Sequence, residues 1–230
     1  MSGNGWITLI IATAFIHLAT KPLGIAPLDW VFKLLPMLLI IGLALRSGAG
    51  DRPLMYKRCI VAGLLFSIAG DAFLLLPDDP FFIWGLASFL TGHLCYVAAM
   101  VSRMKWTAAP ALAAVPLAVY AYVLGGRFHE SLFADDASSG LWIPVLIYII
   151  VISVMCWSAA MTRNWHAATG AVLFVVSDSI LAWAKFIGPL PAAGTMIMAT
   201  YFAAQLFIAG SIADLFSRKR QSSIGSDLTA

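Results

Sequence analysis

Two aspartates stand inside long apolar stretches of this 230-residue chain, Asp71 at the end of segment 63–71 and Asp178 at the end of segment 170–178. In both segments a glycine stands eight residues before the aspartate, and a small residue directly precedes it. A carboxylate in a bilayer costs at least about 2.5–3.5 kcal/mol. One such residue is explained by a packing hydrogen bond or a salt bridge, but two at similar depth favour a shared polar cavity.

Other polar residues are predicted at the same depth of the membrane. They are Lys21, Lys33, His93, Tyr96, Tyr201 and Gln205. His93 and Tyr96 are three residues apart, and Tyr201 and Gln205 four apart, so each pair shares one helix face. Taken singly, each has a structural interpretation, because lysines snorkel to the interface and tyrosines pack. Their convergence on one level favours a binding role.

The elements that must position these residues are membrane helices. The chain is 61% hydrophobic and 11% charged, whereas a soluble domain carries about 25% charged residues. Continuous apolar runs, rather than alternating ones, exclude a β-barrel pattern and predict an all-α integral membrane protein. We place eight transmembrane helices at about 5–20, 29–46, 57–76, 81–102, 107–125, 140–161, 165–186 and 194–215. Residues 1–217 then form one membrane domain and 218–230 a polar tail.

The basic residues indicate an orientation. Ten of the fourteen lysines and arginines fall on one side of the predicted bundle, and four, including Lys21 and Lys33, fall on the other. By the positive-inside rule both termini are cytoplasmic, and we expect a multi-pass protein of a bacterial inner membrane. The loops bearing Asp78–Asp79 and Glu130–Asp136 then face outward.

The two aspartate segments also resemble each other as an internal repeat. Leu74 and Leu181 each follow the aspartate by three residues, which extends the match. Four predicted spans separate the two copies, so both copies have the same orientation. This spacing is typical of a four-plus-four parallel repeat.

Several kinds of chemistry have no support in the sequence. It contains no P-loop, HExxH, GxSxG or dinucleotide-binding fingerprint. Only His17 and His93 lie well within spans, His129 and His166 being in or beside loops, and Cys59, Cys95 and Cys156 show no CxxC spacing. We therefore expect no metal, no cofactor and no nucleic-acid partner. Acid–base chemistry by carboxylates suits the residues better.

At the level of motifs the chain resembles the YhhN family of membrane proteins, whose animal relatives are lysoplasmalogenases. The resemblance is carried by Lys21-Pro22 with Lys33-x-x-Pro36, Gly63-Leu-Leu-Phe-Ser-x-x-Gly-Asp71, Phe89-x-x-Gly-His93-x-x-Tyr96, Phe174-x-x-Ser-Asp178 and Tyr201-Phe-Ala-Ala-Gln205. These motifs occur in the family's order over most of the chain. No family motif is found in the fifth and sixth predicted spans.

The resemblance implies an ether hydrolase that acts on a lysophospholipid. Such enzymes cleave the vinyl ether bond of lysoplasmalogens to a fatty aldehyde and glycerophosphoethanolamine or glycerophosphocholine. The chemistry needs a general acid and a second carboxylate, as in glycosidases, and Asp71 and Asp178 suit these roles in either order. We expect the lipid chain between helices and the head group near the outer interface, where Lys21, Lys33 or Lys185 can meet the phosphate.

Three alternatives remain open from the sequence. The chain could be another intramembrane lipid hydrolase, acting on an ester or amide. It could be a small proton-coupled transporter, with the aspartates as relay groups. It could also be a lipid-binding scaffold without catalysis. The sequence leaves the oligomeric state undetermined.

Overall fold

The chain folds into a helical bundle in the computed structural model, which describes residues 3–48, 54–77, 79–134 and 139–213. Within these ranges there is no strand, so the prediction of an all-α protein is confirmed for them. Residues 218–230, predicted as a tail, lie outside the described ranges. The helices are α1 (Gly3–Thr20), α2 (Ala26–Arg46), α3 (Leu54–Phe73), α4 (Asp79–Val101), the single-turn α5 (Ala108–Ala111), α6 (Ala114–Phe133), α7 (Trp142–Met161), α8 (Trp165–Phe186) and α9 (Ala193–Gly210).

Six of the described helical stretches are long and apolar enough to cross a membrane. They are Gly5–Leu23, Ala26–Arg46, Pro80–Val101, Ser139–Met161, Trp165–Phe186 and Ala193–Gly210. The two remaining long helices, α3 and α6, are not among them. Helix α3 contains Lys57, Arg58 and Asp71, and α6 has Arg127 and Glu130 near its end. The chain therefore has the helices of a membrane protein.

The distribution of polarity is that of a protein surrounded by lipid. Large apolar side chains such as Phe15, Trp84 and Ile143 are more than half exposed on the outside of the bundle. Several charged and polar side chains are instead buried, including Lys33 and Asp71. Ionisable groups within membrane helices face the bundle interior, where they pair with one another.

The fifth predicted span differs from the observed helix. We expected a helix at 107–125, but the chain forms one turn at Ala108–Ala111 and then the long helix Ala114–Phe133. Pro116 lies in the first turn of α6, where a proline costs no intrahelical hydrogen bond. The helix continues through residues predicted as a loop because Phe128 and Leu132 are buried there against α7.

Two close helix pairs frame the centre of the bundle, and each depends on a glycine. A Cβ added at Gly63 of α3 would lie 2.2 Å from the ring of Tyr96 on α4. One added at Gly170 of α8 would lie 2.9 Å from the backbone oxygen of Ala204 on α9. The glycine that opens each aspartate segment therefore lets the following helix approach closely. Helix α4 also packs on α7, and α9 packs on α2.

Candidate active site

Asp71 lies near the end of α3 and is 2% exposed. Its Oδ2 accepts a hydrogen bond of 2.6 Å from the hydroxyl of Tyr201 on α9. The ammonium group of Lys33 on α2 is 3.7 Å from the other carboxylate oxygen and donates to the backbone oxygen of Asp71 over 3.2 Å. A buried carboxylate needs such partners, because an isolated charge in a low-dielectric interior is strongly unfavourable.

Asp178 lies on α8 and has a different set of partners. Its Oδ2 accepts a hydrogen bond from the hydroxyl of Tyr148 on α7. The Nε2 atom of His93 on α4 lies 3.7 Å from the same oxygen. The His93 ring is held edge-on between the rings of Tyr148 and Phe174. No lysine or arginine among the described residues forms an ion pair with Asp178.

The two aspartates line the same cavity, which has a volume of about 380 Å³. Helices α2, α3, α4, α8 and α9 contribute to its wall. Lys21, Lys33 and Lys185 line it together with Tyr201. The structure thus brings these four residues, all singled out in the sequence, to one cavity with both aspartates. The volume is within the range of small-molecule sites, about 300–1,000 Å³.

Lys21 and Lys185 stand where α1 and α8 end on the same side of the bundle. Lys21 lies in the short turn after α1, packs across Gly194 at the start of α9, and has its Nζ 3.8 Å from Asp29. Lys185 has its Nζ 4.8 Å from the centre of the Phe82 ring. These contacts hold two positive charges at the cavity that both aspartates line.

Tyr96 and Gln205 form a buried layer behind the cavity. The Tyr96 hydroxyl donates to Gln205 Oε1 over 2.6 Å, and both side chains are fully buried. Neither residue lines the cavity. Gln205 lies one turn from Tyr201 and Tyr96 one turn from His93, so their bond links the helix faces that carry the partners of Asp71 and Asp178.

Tyr148 is the one close partner of an aspartate that the sequence analysis missed. It stands in α7, where no family motif was found, and its neighbours are apolar. The only signal was that it is the sole tyrosine of this helix. In the described part of the chain, no group of three or more His, Cys, Asp or Glu residues is arranged to hold a metal ion.

A sequence model of the YhhN family matches residues 28–212. The chain belongs to the YhhN family. The resemblance seen in the motifs is therefore confirmed. No solved structure matches the chain.

Proteins similar to this YhhN protein include enzymes from animals and bacteria. It is 34% identical over 186 residues to the human lysoplasmalogenase TMEM86B, covering 79% of this chain and 75% of the relative. It is 31% identical over 188 residues to the lysoplasmalogenase of Mycobacterium tuberculosis, covering 80% of this chain and 70% of the relative. A bovine lysoplasmalogenase, TMEM86A, is 32% identical over 160 residues, or 65% and 63% of the two chains. The family and the apolar helices identify a membrane protein.

Proposed function

We propose that this YhhN protein is a lysoplasmalogenase that hydrolyses the vinyl ether bond of a lysophospholipid. The observation that carries the proposal is that Asp71 and Asp178, from two distant parts of the chain, line one cavity with Lys21, Lys33 and Lys185. The relatives bearing this enzyme name support the substrate class. The products are a fatty aldehyde and a glycerophospho alcohol such as glycerophosphoethanolamine or glycerophosphocholine.

The reaction we propose needs two carboxyl groups in different states. A protonated carboxyl transfers its proton to the alkenyl carbon distal to the ether oxygen, and the π electrons form the new C–H bond. The adjacent carbon becomes an oxocarbenium ion, which adds water and releases a proton to a carboxylate. The hemiacetal then breaks its bond to the glycerol oxygen, which takes a proton from the carboxyl group that had accepted the water proton. The hemiacetal hydroxyl gives its proton to the carboxylate left by the first step, and the aldehyde forms. The sum is one vinyl ether and one water giving one aldehyde and one alcohol.

The unequal surroundings of the two aspartates support a division of these roles. Lys33 provides a positive charge 3.7 Å from Asp71, which stabilises negative charge there. Tyr148 and His93 approach Asp178 without a lysine or arginine partner in the described chain. We assign the proton-donating role to Asp178 and the anionic role, stabilising the cation and accepting the water proton, to Asp71.

The lysines are proposed to hold the phosphate of the head group. Lys21 and Lys185 border the cavity on the side where α1 and α8 end, away from the basic clusters at the other helix ends. Each ammonium group offers donors that suit a phosphate diester. His93 is proposed to orient Asp178, and Tyr96 and Gln205 to keep His93 and Tyr201 in place rather than to touch the substrate.

We further propose an eight-span, four-plus-four arrangement. Each aspartate receives one contact from the helix before it, Lys33 or Tyr148, and one from the last helix of the other half, Tyr201 or His93. This arrangement is compatible with two parallel repeats related by an axis along the membrane normal. The loop charges support cytoplasmic termini in a bacterial inner membrane, with residues 1–217 in the membrane domain and 218–230 as a cytoplasmic tail.

The test is a product analysis with the full chain in detergent. Lysoplasmenylethanolamine should release free aldehyde, and its ester counterpart should release little or no fatty acid. If the ester released fatty acid as fast as the vinyl ether released aldehyde, the protein would instead be a general lysolipid hydrolase. If neither product formed and liposomes containing the protein took up a solute in a proton-dependent way, the protein would be the proton-coupled transporter.

A further inference from the structure

A narrow apolar slot opens beside the cavity that is lined by the two aspartates and the three lysines. That cavity is called the head-group cavity below. The slot lies between α4, α6, α7 and α8 and has a volume of about 40 Å³, roughly a tenth of the cavity's. Its wall is formed by phenylalanine, leucine, isoleucine, valine and alanine side chains, with three hydroxyl groups and one carboxyl group among them. The slot therefore has the chemistry of a hydrocarbon site.

The hydroxyl groups in the slot are already bonded within the protein. The Tyr120 hydroxyl and Ser179 Oγ lie 2.8 Å apart and share a hydrogen bond, and Ser179 also bonds the backbone of α8. The Tyr148 hydroxyl donates to Asp178. A polar ligand would have to break these bonds, whereas a hydrocarbon chain leaves them intact.

The slot and the head-group cavity share part of their walls. Five residues line both, namely Leu74, Phe82, Phe89, Asp178 and Leu181. Of these, only Asp178 carries an ionisable group, so it stands at the junction between an apolar and a positively charged compartment. In a lysoplasmalogen the vinyl ether group is itself the junction between the hydrocarbon chain and the polar glycerophosphate.

We propose that this slot binds the alkenyl chain of the substrate and sets the chain-length preference of the enzyme. With the phosphate at the lysines and the chain in the slot, the alkenyl carbons lie beside Asp178 and the glycerol oxygens lie toward Asp71. The inference rests on the proposed function and adds the residues that hold the chain. Leu124 of α6 and Ala182 of α8 are wall residues at which the slot can be narrowed by substitution.

The kinetic test uses neighbouring residues on one helix as a matched pair. Leu124→Phe narrows the slot, whereas Val123→Phe places the same ring on a side chain that is 55% exposed. Substrates with alkenyl chains of eight and sixteen carbons are compared. A single misfitting methylene changes kcat/KM by about tenfold or more. Leu124→Phe and Ala182→Leu should therefore lower the ratio of kcat/KM for the sixteen-carbon substrate to kcat/KM for the eight-carbon substrate by at least about tenfold. Val123→Phe should leave it unchanged, and an unchanged ratio in both slot variants would overturn the proposal.

A labelling test separates this inference from the proposed activity. A lysophosphatidylethanolamine ester carrying a diazirine at the end of its chain is photolysed with the wild-type protein, and labelled peptides are mapped by mass spectrometry. Labels on α6 and α7 support the slot even if no vinyl ether is cleaved. Labels confined to α1, α2 or α3 overturn it even if aldehyde is released. Wild-type protein serves throughout, so misfolding of a variant does not affect the result.

Discussion

Tyr201 donates a hydrogen bond of 2.6 Å to Asp71 although 130 positions separate the two residues in the chain. The bond joins α9 to α3 at the wall of the head-group cavity. Tyr148 makes the corresponding bond to Asp178 from α7. Each aspartate is thus oriented by one tyrosine, but only Asp71 also has an ammonium partner among the described residues.

Replacing either aspartate by asparagine should nearly abolish the reaction. Asparagine keeps the size of the side chain but can neither donate the proton nor carry the charge, and general acid–base catalysis contributes about 10²–10⁴-fold. Aldehyde release by Asp71→Asn and Asp178→Asn is the measurement, with thermal unfolding in detergent as the check on folding. Full activity in both folded variants would refute the two-carboxylate mechanism.

The pH dependence should distinguish the two aspartates. Asp178 must be protonated to act as the acid, so the wild-type rate should fall at high pH, where Asp178 loses its proton. Asp71 must be charged, so the rate should also fall at low pH, where Asp71 gains a proton. Residual activity of Asp178→Asn should lack the fall at high pH, and that of Asp71→Asn the fall at low pH. Lys33, His93 and Tyr148 face these groups and remain in both variants. The opposite pattern would exchange the assigned roles.

Removing the hydroxyl of Tyr201, at the cavity wall, should impair catalysis more than removing that of Tyr96, which lies behind the wall. Hydrogen bonds to charged groups contribute about 1.5–3 kcal/mol, so Tyr201→Phe should lower kcat by about tenfold or more. Tyr96→Phe loses the bond to Gln205 and should mainly lower the free energy of unfolding, by about 1–3 kcal/mol. Steady-state kinetics and thermal unfolding of both variants provide the comparison. If Tyr201→Phe and Tyr96→Phe lost the same fraction of kcat, the two tyrosines would not have the different roles that we assign to them.

Lys185→Met should weaken substrate binding without changing the chemical step. Methionine retains an unbranched side chain of similar length but removes the charge that we assign to the phosphate. KM should rise, and kcat should change little because the reacting atoms lie at the aspartates. Lys105→Met is the control, since Lys105 lies in the connection after α4 and does not line the cavity. A fall in kcat with unchanged KM would exclude the head-group role.

Alanine at Gly63 or Gly170 should destabilise the protein. The added methyl group would overlap the Tyr96 ring or the backbone of Ala204, and overpacking of this kind costs about 1–3 kcal/mol. A methyl group at Gly126 of α6 would meet no atom within 4 Å, so Gly126→Ala is the control and should be neutral or stabilising. Thermal unfolding in one detergent measures all three. Wild-type stability of both Gly63→Ala and Gly170→Ala would contradict the close helix packing.

The sequence by itself determined the membrane class, the family and the charged residues of the cavity wall. These features are local: the length of an apolar run predicts a helix, and a charge within it must find a partner inside the bundle. Asp71, Asp178, Lys21, Lys33 and Tyr201 were identified in the sequence and line the cavity, whereas His93, Tyr96 and Gln205, predicted at the same depth, do not line it.

Only the tertiary structure decided which helix faces meet. In lipid both faces of a helix can be apolar, so the pattern of apolar residues does not tell which side packs inward. For that reason Tyr148 was missed, the buried bond of Tyr96 to Gln205 was not foreseen, and the apolar slot had no sequence signal. Helix α6 extends beyond the predicted span because Phe128 and Leu132 pack on α7, a contact between two helices that the local sequence pattern does not reveal.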